Sequence, residues 1–302
     1  MKRCGTIQTV SLLIGLIVVT QHAPTAFAAA AEPTYQPVAI TVLYDNYKLA
    51  QECQTDWGFS CMITGTAKTI LFDAGTYGNI LLANMDTLHV DACDVEVMVI
   101  SHNHADHTGK WQTAGGVLSF LTRNSDVLMY LPPSVSAGTI QIVEAKGARR
   151  QIVNESMAIC EQVHLTGPMT GIAVEQSMVL DTPKGLVVLT GCAHPGIIPI
   201  ITKAKQMLNK NVYLVMGGFH LLDFSDAQVQ GVIQQFRQLG GQKVDASHCT
   251  GDRAIALFKQ AHGVDFVPVG LGKISVPPGI LPWVSCSPTI LAYGIPWFRG
   301  SV

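Results

Sequence analysis

Charge is scarce in this chain and neither sign dominates. Nineteen lysines and arginines against 21 aspartates and glutamates leave a formal net charge of −2 over 302 residues. The basic residues are scattered, so no broad cationic surface is available for a phosphate backbone, and nucleic acid is not an expected partner. Long apolar runs are also missing. The stretch at 10–20 is much shorter than the roughly 20 residues a helix needs to span a bilayer, which excludes a stable span. No internal repeat is present, and nothing in the length demands more than one αβ domain with a large core.

What is present at the N-terminus reads as an export signal. Lys2 and Arg3 precede the apolar stretch, and Ala26-Phe27-Ala28 follows as a small-x-small cleavage site. The expected organisation is a signal peptide at 1–28, a leader at 29–37, a domain at 38–274 and a C-terminal tail at 275–302. The expected location is the periplasm or the medium. Without Cys4, the cysteines Cys53, Cys61, Cys93, Cys160, Cys192, Cys249 and Cys286 form an odd set, so at least one stays unpaired within the chain. Cys53 and Cys61 flank Trp57-Gly58 closely enough for a disulfide; the alternative is that Cys61 is a small core residue on a strand. Cys192 and Cys249 sit beside histidines, where a buried thiol near metal competes with packing as the explanation.

Apolar patterning predicts strands at 38–44, 58–64, 69–72, 95–100, 185–190 and 212–216, with a helix at 196–208. Ser225 with Gln228 predicts a capped helix carrying Val229, Val232, Ile233, Phe236 and Leu239 on one face. Thr250 or Asp252 opens a last helix with Ala254, Leu257, Phe258 and Ala261 inward, and 265–269 is expected to close the sheet. Between 115 and 171 the pattern is mixed and the topology is open.

The chemistry is concentrated in Ser101-His102-Asn103-His104-Ala105-Asp106-His107, directly after an apolar strand. In extended chain alternate side chains share a side, so His102 and His104 can offer two imidazoles to one ion. Asp106 and His107 follow where the chain turns, in directions suited to a second ion. Three histidines and an aspartate in six residues make a strong signal. His194, His220 and His248 each follow an apolar strand and would reach the same sheet edge, His194 and His248 ranking above His220. Both precede helices, whose N-terminal dipoles favour the neutral, metal-binding imidazole. His22, His89, His164 and His262 read as ordinary residues. Asp73, at another strand end, either orients a ligand histidine from behind or closes an Asx turn ahead of Gly75.

Ser101 to Gly109 reads Ser-His-x-His-x-Asp-His-x-Gly, and with Leu71-Phe72-Asp73-Ala74-Gly75 it resembles the metallo-β-lactamase superfamily. Thr190-Gly191-Cys192-Ala193-His194, Gly217-Gly218-Phe219-His220-Leu221 and His248-Cys249-Thr250-Gly251 resemble the branch named for dihydropterin-ribofuranosylaminobenzene-phosphate synthase. The resemblance spans about 38–273. It implies an αββα sandwich of two mixed sheets with helices outside and zinc, in one or two ions, at one edge; manganese or iron would also fit. Carried over by motif, His102, His104, Asp106, His107, His194 and His248 are metal ligands, and His220 lies beside the substrate or is a further ligand. The chain departs from the pattern in three places. Cys192 stands where most of the superfamily has a metal-bridging aspartate, which argues against a second tightly held ion. Pro168-Met169-Thr170 lacks the branch's arginine, which argues against a phosphorylated substrate, and Lys110 replaces a glycine.

The resemblance implies a hydrolase of a small molecule, and the N-terminal signal implies that it is exported. Metal-bound water, its pKa lowered from 15.7 to about 7, attacks an ester, lactone, amide or phosphodiester. Asp106 orients that water and His220 donates to the developing anion. The branch's pterin reaction belongs to a cytosolic pathway and is not carried over. A redox enzyme on the same fold is one alternative; His104 argues against it, since related di-iron enzymes have glutamate there. A non-catalytic metal-binding protein, with Cys192 closing the open coordination position, is another.

Overall fold

A computed structural model describes residues 38–111, 115–268, 270–272 and 274–275. The expected signal peptide, leader and most of the tail lie outside these residues. Seven strands form the first sheet: β1 (Ala39–Tyr44), β2 (Ser60–Thr64), β3 (Ile70–Phe72), β4 (Val97–Val99), β5 (Leu128–Leu131), β6 (Arg149–Ile152) and, at the far end of the chain, β13 (Ile274–Ser275). Their order is β13-β1-β2-β3-β4-β5-β6, parallel from β3 to β6 and antiparallel elsewhere. The second sheet holds β7 (Met157–Cys160), β8 (Val163–Leu165), β9 (Met178–Thr182), β10 (Gly185–Thr190), β11 (Val212–Gly218) and β12 (Lys243–Ser247). Its order runs β12-β11-β10-β9-β8-β7, with β10, β11 and β12 parallel.

Strand periodicity sorts the side chains into layers. On β10, Val187 and Leu189 enter a core between the sheets with Phe72, Val99, Leu180 and Met216. Leu186 and Val188 face the other way, toward α5 (Ile197–Leu208), α6 (Asp226–Gln238) and α7 (Asp252–His262). The first sheet's outer face, with Leu71, Met98 and Met129, packs on α1 (Gly78–Thr87), α3 (Gly116–Arg123) and α4 (Ala137–Ala145). A single-turn α2 (Ala105–Thr108) lies between. The result is an αββα sandwich, as expected. No helix among the described residues is long and apolar enough to cross a membrane.

Most predicted elements are present with ends moved by a residue or two. The capping box on α6 is complete: Ser225 accepts from the Gln228 N–H, and the Gln228 side chain accepts from the Ser225 N–H. Val229, Ile233 and Phe236 are its buried face. Three expectations need correction. The segment expected as a closing strand at 265–269 makes a 3-10 turn at Gly263–Asp265, then a single bridge from Phe266 to Val244. The tail expected from Ser275 begins later, because Ile274 and Ser275 pair with Thr41 and Ile40. Cys53 and Cys61 are both free and buried, Cys61 as a core residue of β2, so the disulfide is not formed.

Candidate metal centre

Five strand ends converge at one edge of the sandwich. β4 delivers Ser101 and His102, α2 carries Asp106 and His107 with His104 just before it, and Asp73 follows β3. From the second sheet come Cys192 and His194 after β10, His220 after β11 and His248 after β12. Asp73, Ala193, His220 and His248 all have φ between 47° and 59°. Left-handed backbone at residues other than glycine costs about 1–3 kcal/mol each and gathers where a site dictates the chain's path.

All seven sequence-predicted site residues are brought together. The His102 ring centroid lies 4.7 Å from that of His104, 4.2 Å from His107 and 4.6 Å from His194. His107 and His248 are 5.0 Å apart, and His194 and His220 are 4.6 Å apart. Ligand atoms lie within 4.8 Å of one another in overlapping groups: His102, His104 and Asp106; His102, Cys192 and His194; Asp106, His107, Cys192 and His248. Among the described residues, His89, His164 and His262 join none of these groups. Cys192 is common to two of these three groups, and its Sγ is 3.1 Å from His107 Nε2.

The hydrogen bonds behind the rings assign their protons. Ser101 Oγ is 2.6 Å from Asp73 Oδ2 and donates its one hydrogen there. It must therefore accept from His102 Nδ1, 2.9 Å away, which leaves a lone pair on His102 Nε2. His107 Nδ1 donates to Asp73 Oδ2 at 2.7 Å, and His194 Nδ1 donates to Glu175 Oε2 at 2.8 Å. His248 Nδ1 donates to Asn46 Oδ1 at 3.1 Å. Each of these rings thus turns an unprotonated Nε2 into the centre, the arrangement that prepares histidine for metal. His102 Nε2 and His248 Nε2 are buried without a hydrogen-bond partner among the described residues. His248 Nε2 faces Asp106 Oδ2 at 3.2 Å, two acceptors that repel unless a cation or proton lies between them. The donor set, imidazole with carboxylate and one thiol, suits zinc or a similar borderline divalent ion. Asp73 is therefore the orienting carboxylate of the two roles open to it.

Burial sets the electrostatics. It depresses His102 to about 3, helped by His107, and depresses His107 to about 4 although Asp106 pulls the other way. His104 is lowered by burial and by His194. For Asp106, burial raises the pKa, but His248 and His107 outweigh it and hold the carboxylate well below its usual range. His248 departs from the helix-dipole expectation. Burial lowers its pKa, yet Asp106 and Cys249 bring it above the ordinary value.

Sequence reasoning missed three participants. Glu175, fully buried between β8 and β9, accepts the backbone N–H groups of Gly191, Cys192 and Ala193 on Oε1, and the N–H and Nδ1–H of His194 on Oε2. Burial raises its pKa, but His194, His102 and these N–H groups lower it to about 2. A lone acid in a loop carries no spacing signal. Trp57 Nε1 donates to Asp106 Oδ2 at 3.1 Å, with its ring 5.0 Å from His248 and 46% exposed. Asn46 follows a buried strand end as Asp73 does, and that shared signal would have found it.

Two mixed sheets face to face, helices outside and metal-binding side chains at one edge define a metallo-β-lactamase fold. No family profile matches the chain. It is 28% identical over 255 residues to 7,8-dihydropterin-6-methyl-4-(β-D-ribofuranosyl)-aminobenzene-5'-phosphate synthase of Methanocaldococcus jannaschii, a likeness covering 70% of this chain and 85% of that one. Among solved structures it is similar to Tm1679, a metal-dependent hydrolase of the β-lactamase superfamily, with a TM-score of 0.66, 25% identity and coverage of 79% and 98% of the two chains. The metallo-β-lactamase fold protein YhfI from Bacillus subtilis shares the fold at 13% identity and a TM-score of 0.58, over 80% of this chain and 100% of that one. The chain thus has the metallo-β-lactamase fold, and its sequence is similar to that of the dihydropterin-ribofuranosylaminobenzene-phosphate synthase.

Proposed function

We propose that the chain is an exported metal-dependent hydrolase that cleaves an ester, lactone, amide or phosphodiester bond of a small molecule. The observation that carries the reading is the set of four imidazoles whose Nδ1 protons are each held from behind, turning Nε2 lone pairs onto Asp106 and one another. His102, His104 and His194 would hold one ion and Asp106, His107 and His248 a second, with Cys192 between them; zinc suits the donors, and manganese or iron would also fit. A divalent cation there supplies two things: a lowered pKa for water, from 15.7 to about 7, and polarisation of the scissile oxygen.

The chain's own residues do the rest. Asp106, ionised and pinned by Trp57, accepts from the attacking water and orients it. His220, whose pKa is raised by Cys249 against the effect of burial, donates to the anion that develops on the substrate. Asp73, Ser101, Glu175 and Asn46 keep the rings fixed, so little reorganisation is needed at the moment of reaction. Turnover of p-nitrophenyl esters, lactones, a phosphodiester and nitrocefin by metal-loaded and chelator-treated protein tests the reading. Metal-dependent cleavage that falls at least a hundredfold in Asp106→Asn supports it. A folded, metal-loaded protein that cleaves none of these bonds overturns it.

Transfer to an acceptor other than water is a second reading, favoured by the likeness to a synthase. Export is tested by N-terminal sequencing of the protein recovered outside the cytoplasm. A start at Ala29 supports cleavage, and a start at Met1 contradicts it.

A further inference from the structure

Two side chains at the centre, Cys249 and His220, are left over by the two histidine and aspartate groups. Cys192 Sγ, Cys249 Sγ and a ring nitrogen of His220 lie within 4.8 Å of one another. Tetrahedral zinc takes sulfur at about 2.3 Å and nitrogen at about 2.0 Å, so its ligands stand roughly 3.3–3.8 Å apart, and this trio can close on one ion with small movements. Both cysteines are buried and free. His220 Nδ1 is buried with no hydrogen-bond partner among the described residues, a costly arrangement that a cation would relieve. His220 and His248, the neighbour of Cys249, are both held at positive φ, so the backbone is bent to present these side chains inward.

We propose that Cys192, Cys249 and His220 form a thiolate-rich subsite, overlapping the histidine and aspartate groups at Cys192, that binds one thiophilic cation such as zinc, cadmium or cuprous copper. Two thiolates and an imidazole discriminate against magnesium and manganese, which prefer oxygen ligands. The subsite deepens the hydrolase reading without needing it, because Cys249 and His220 lie outside the groups that would hold the hydrolytic ions. It shares Cys192 with the histidine and aspartate groups and takes the His220 ring that would face substrate. A cation held there therefore withdraws both from hydrolysis, and thiophilic metal in excess inhibits.

The test is titration of the metal-free full chain with cadmium, read by thiolate-to-cadmium charge-transfer absorption in the ultraviolet and by bound cadmium per chain. Wild type is expected to show the band, and manganese is expected not to abolish it. Cys249→Ser should lose about half of the band or more and one equivalent of cadmium, with a native circular dichroism spectrum. Should that variant fail to fold, protection of two buried thiols from a thiol reagent by cadmium in wild type gives the same reading. An unchanged band and cadmium count in Cys249→Ser, or no protection, overturns the subsite. Loss of metal in His102→Ala alongside that result leaves the hydrolase reading standing, so the two fail separately.

Discussion

A buried imidazole can take a cation only when its proton sits on the far nitrogen, and each of four rings here has an acceptor that puts it there. Glu175 is the most heavily used, holding the backbone from Gly191 to His194 together with the His194 ring. Glu175→Gln is expected to weaken metal binding about 10–100-fold, the usual effect of removing an outer-shell partner. Competition with a chromophoric chelator measures this; an unchanged affinity would show that the loop holds itself. Acid gives a second check on metal-free protein. His102 and His107, depressed to about 3 and about 4, leave protons to the unfolded chain as pH falls below 6.5, which by itself lowers folded stability. Asp73 and Asp45, raised by burial to about 7 and about 6, take up protons in the folded state over the same range and offset the two histidines. Two histidines against two carboxylates leave stability nearly level between about pH 6 and 4, where a single uncompensated proton would be worth about 1.4 kcal/mol per pH unit. Unfolding free energies of chelator-treated protein that change by more than about 2 kcal/mol over that range would contradict this balance. At this scale the histidines were legible because each ends an apolar strand or clusters just beyond one, whereas Glu175 stands in a loop with no periodic neighbour.

The elements divide by how strongly local chemistry dictates them. The α6 start was legible because Ser225 and Gln228 satisfy each other's backbone, and Ser225→Ala should cost about 1 kcal/mol in thermal or denaturant unfolding while metal content stays the same. The strands β6 and β7 were not legible. Arg149, Arg150 and Gln151 are exposed, and β7 has no fully buried residue, so neither strand shows the alternation that marks a half-buried strand. Elsewhere a close approach explains the residue. A Cβ at Gly191 would fall on Ser101 Oγ and come within 3.1 Å of Asp73 Oδ2. Gly191→Ala is therefore expected to break the Ser101 relay behind His102 and to lower both metal content and stability. A variant with wild-type metal content would show that the relay tolerates the shift.

For the whole molecule, the decisive event is the face-to-face packing of the two sheets. It brings residues 101–107 of one half against residues 192–194, 220 and 248 of the other. Local periodicity does not specify that meeting, which is why the residues alone predicted strand ends at an edge and the four-layer arrangement came from motif resemblance. A cation that binds only the folded chain stabilises it by about 2.7 kcal/mol at one hundred times its dissociation constant. Metal content of the purified full chain, compared with His102→Ala and His194→Ala, tests the convergence most directly. The account predicts at least one equivalent of divalent cation in wild type and the loss of an equivalent in each variant, with circular dichroism unchanged. Variants that keep the wild-type metal content, or a folded wild type that takes up no divalent cation, would contradict it.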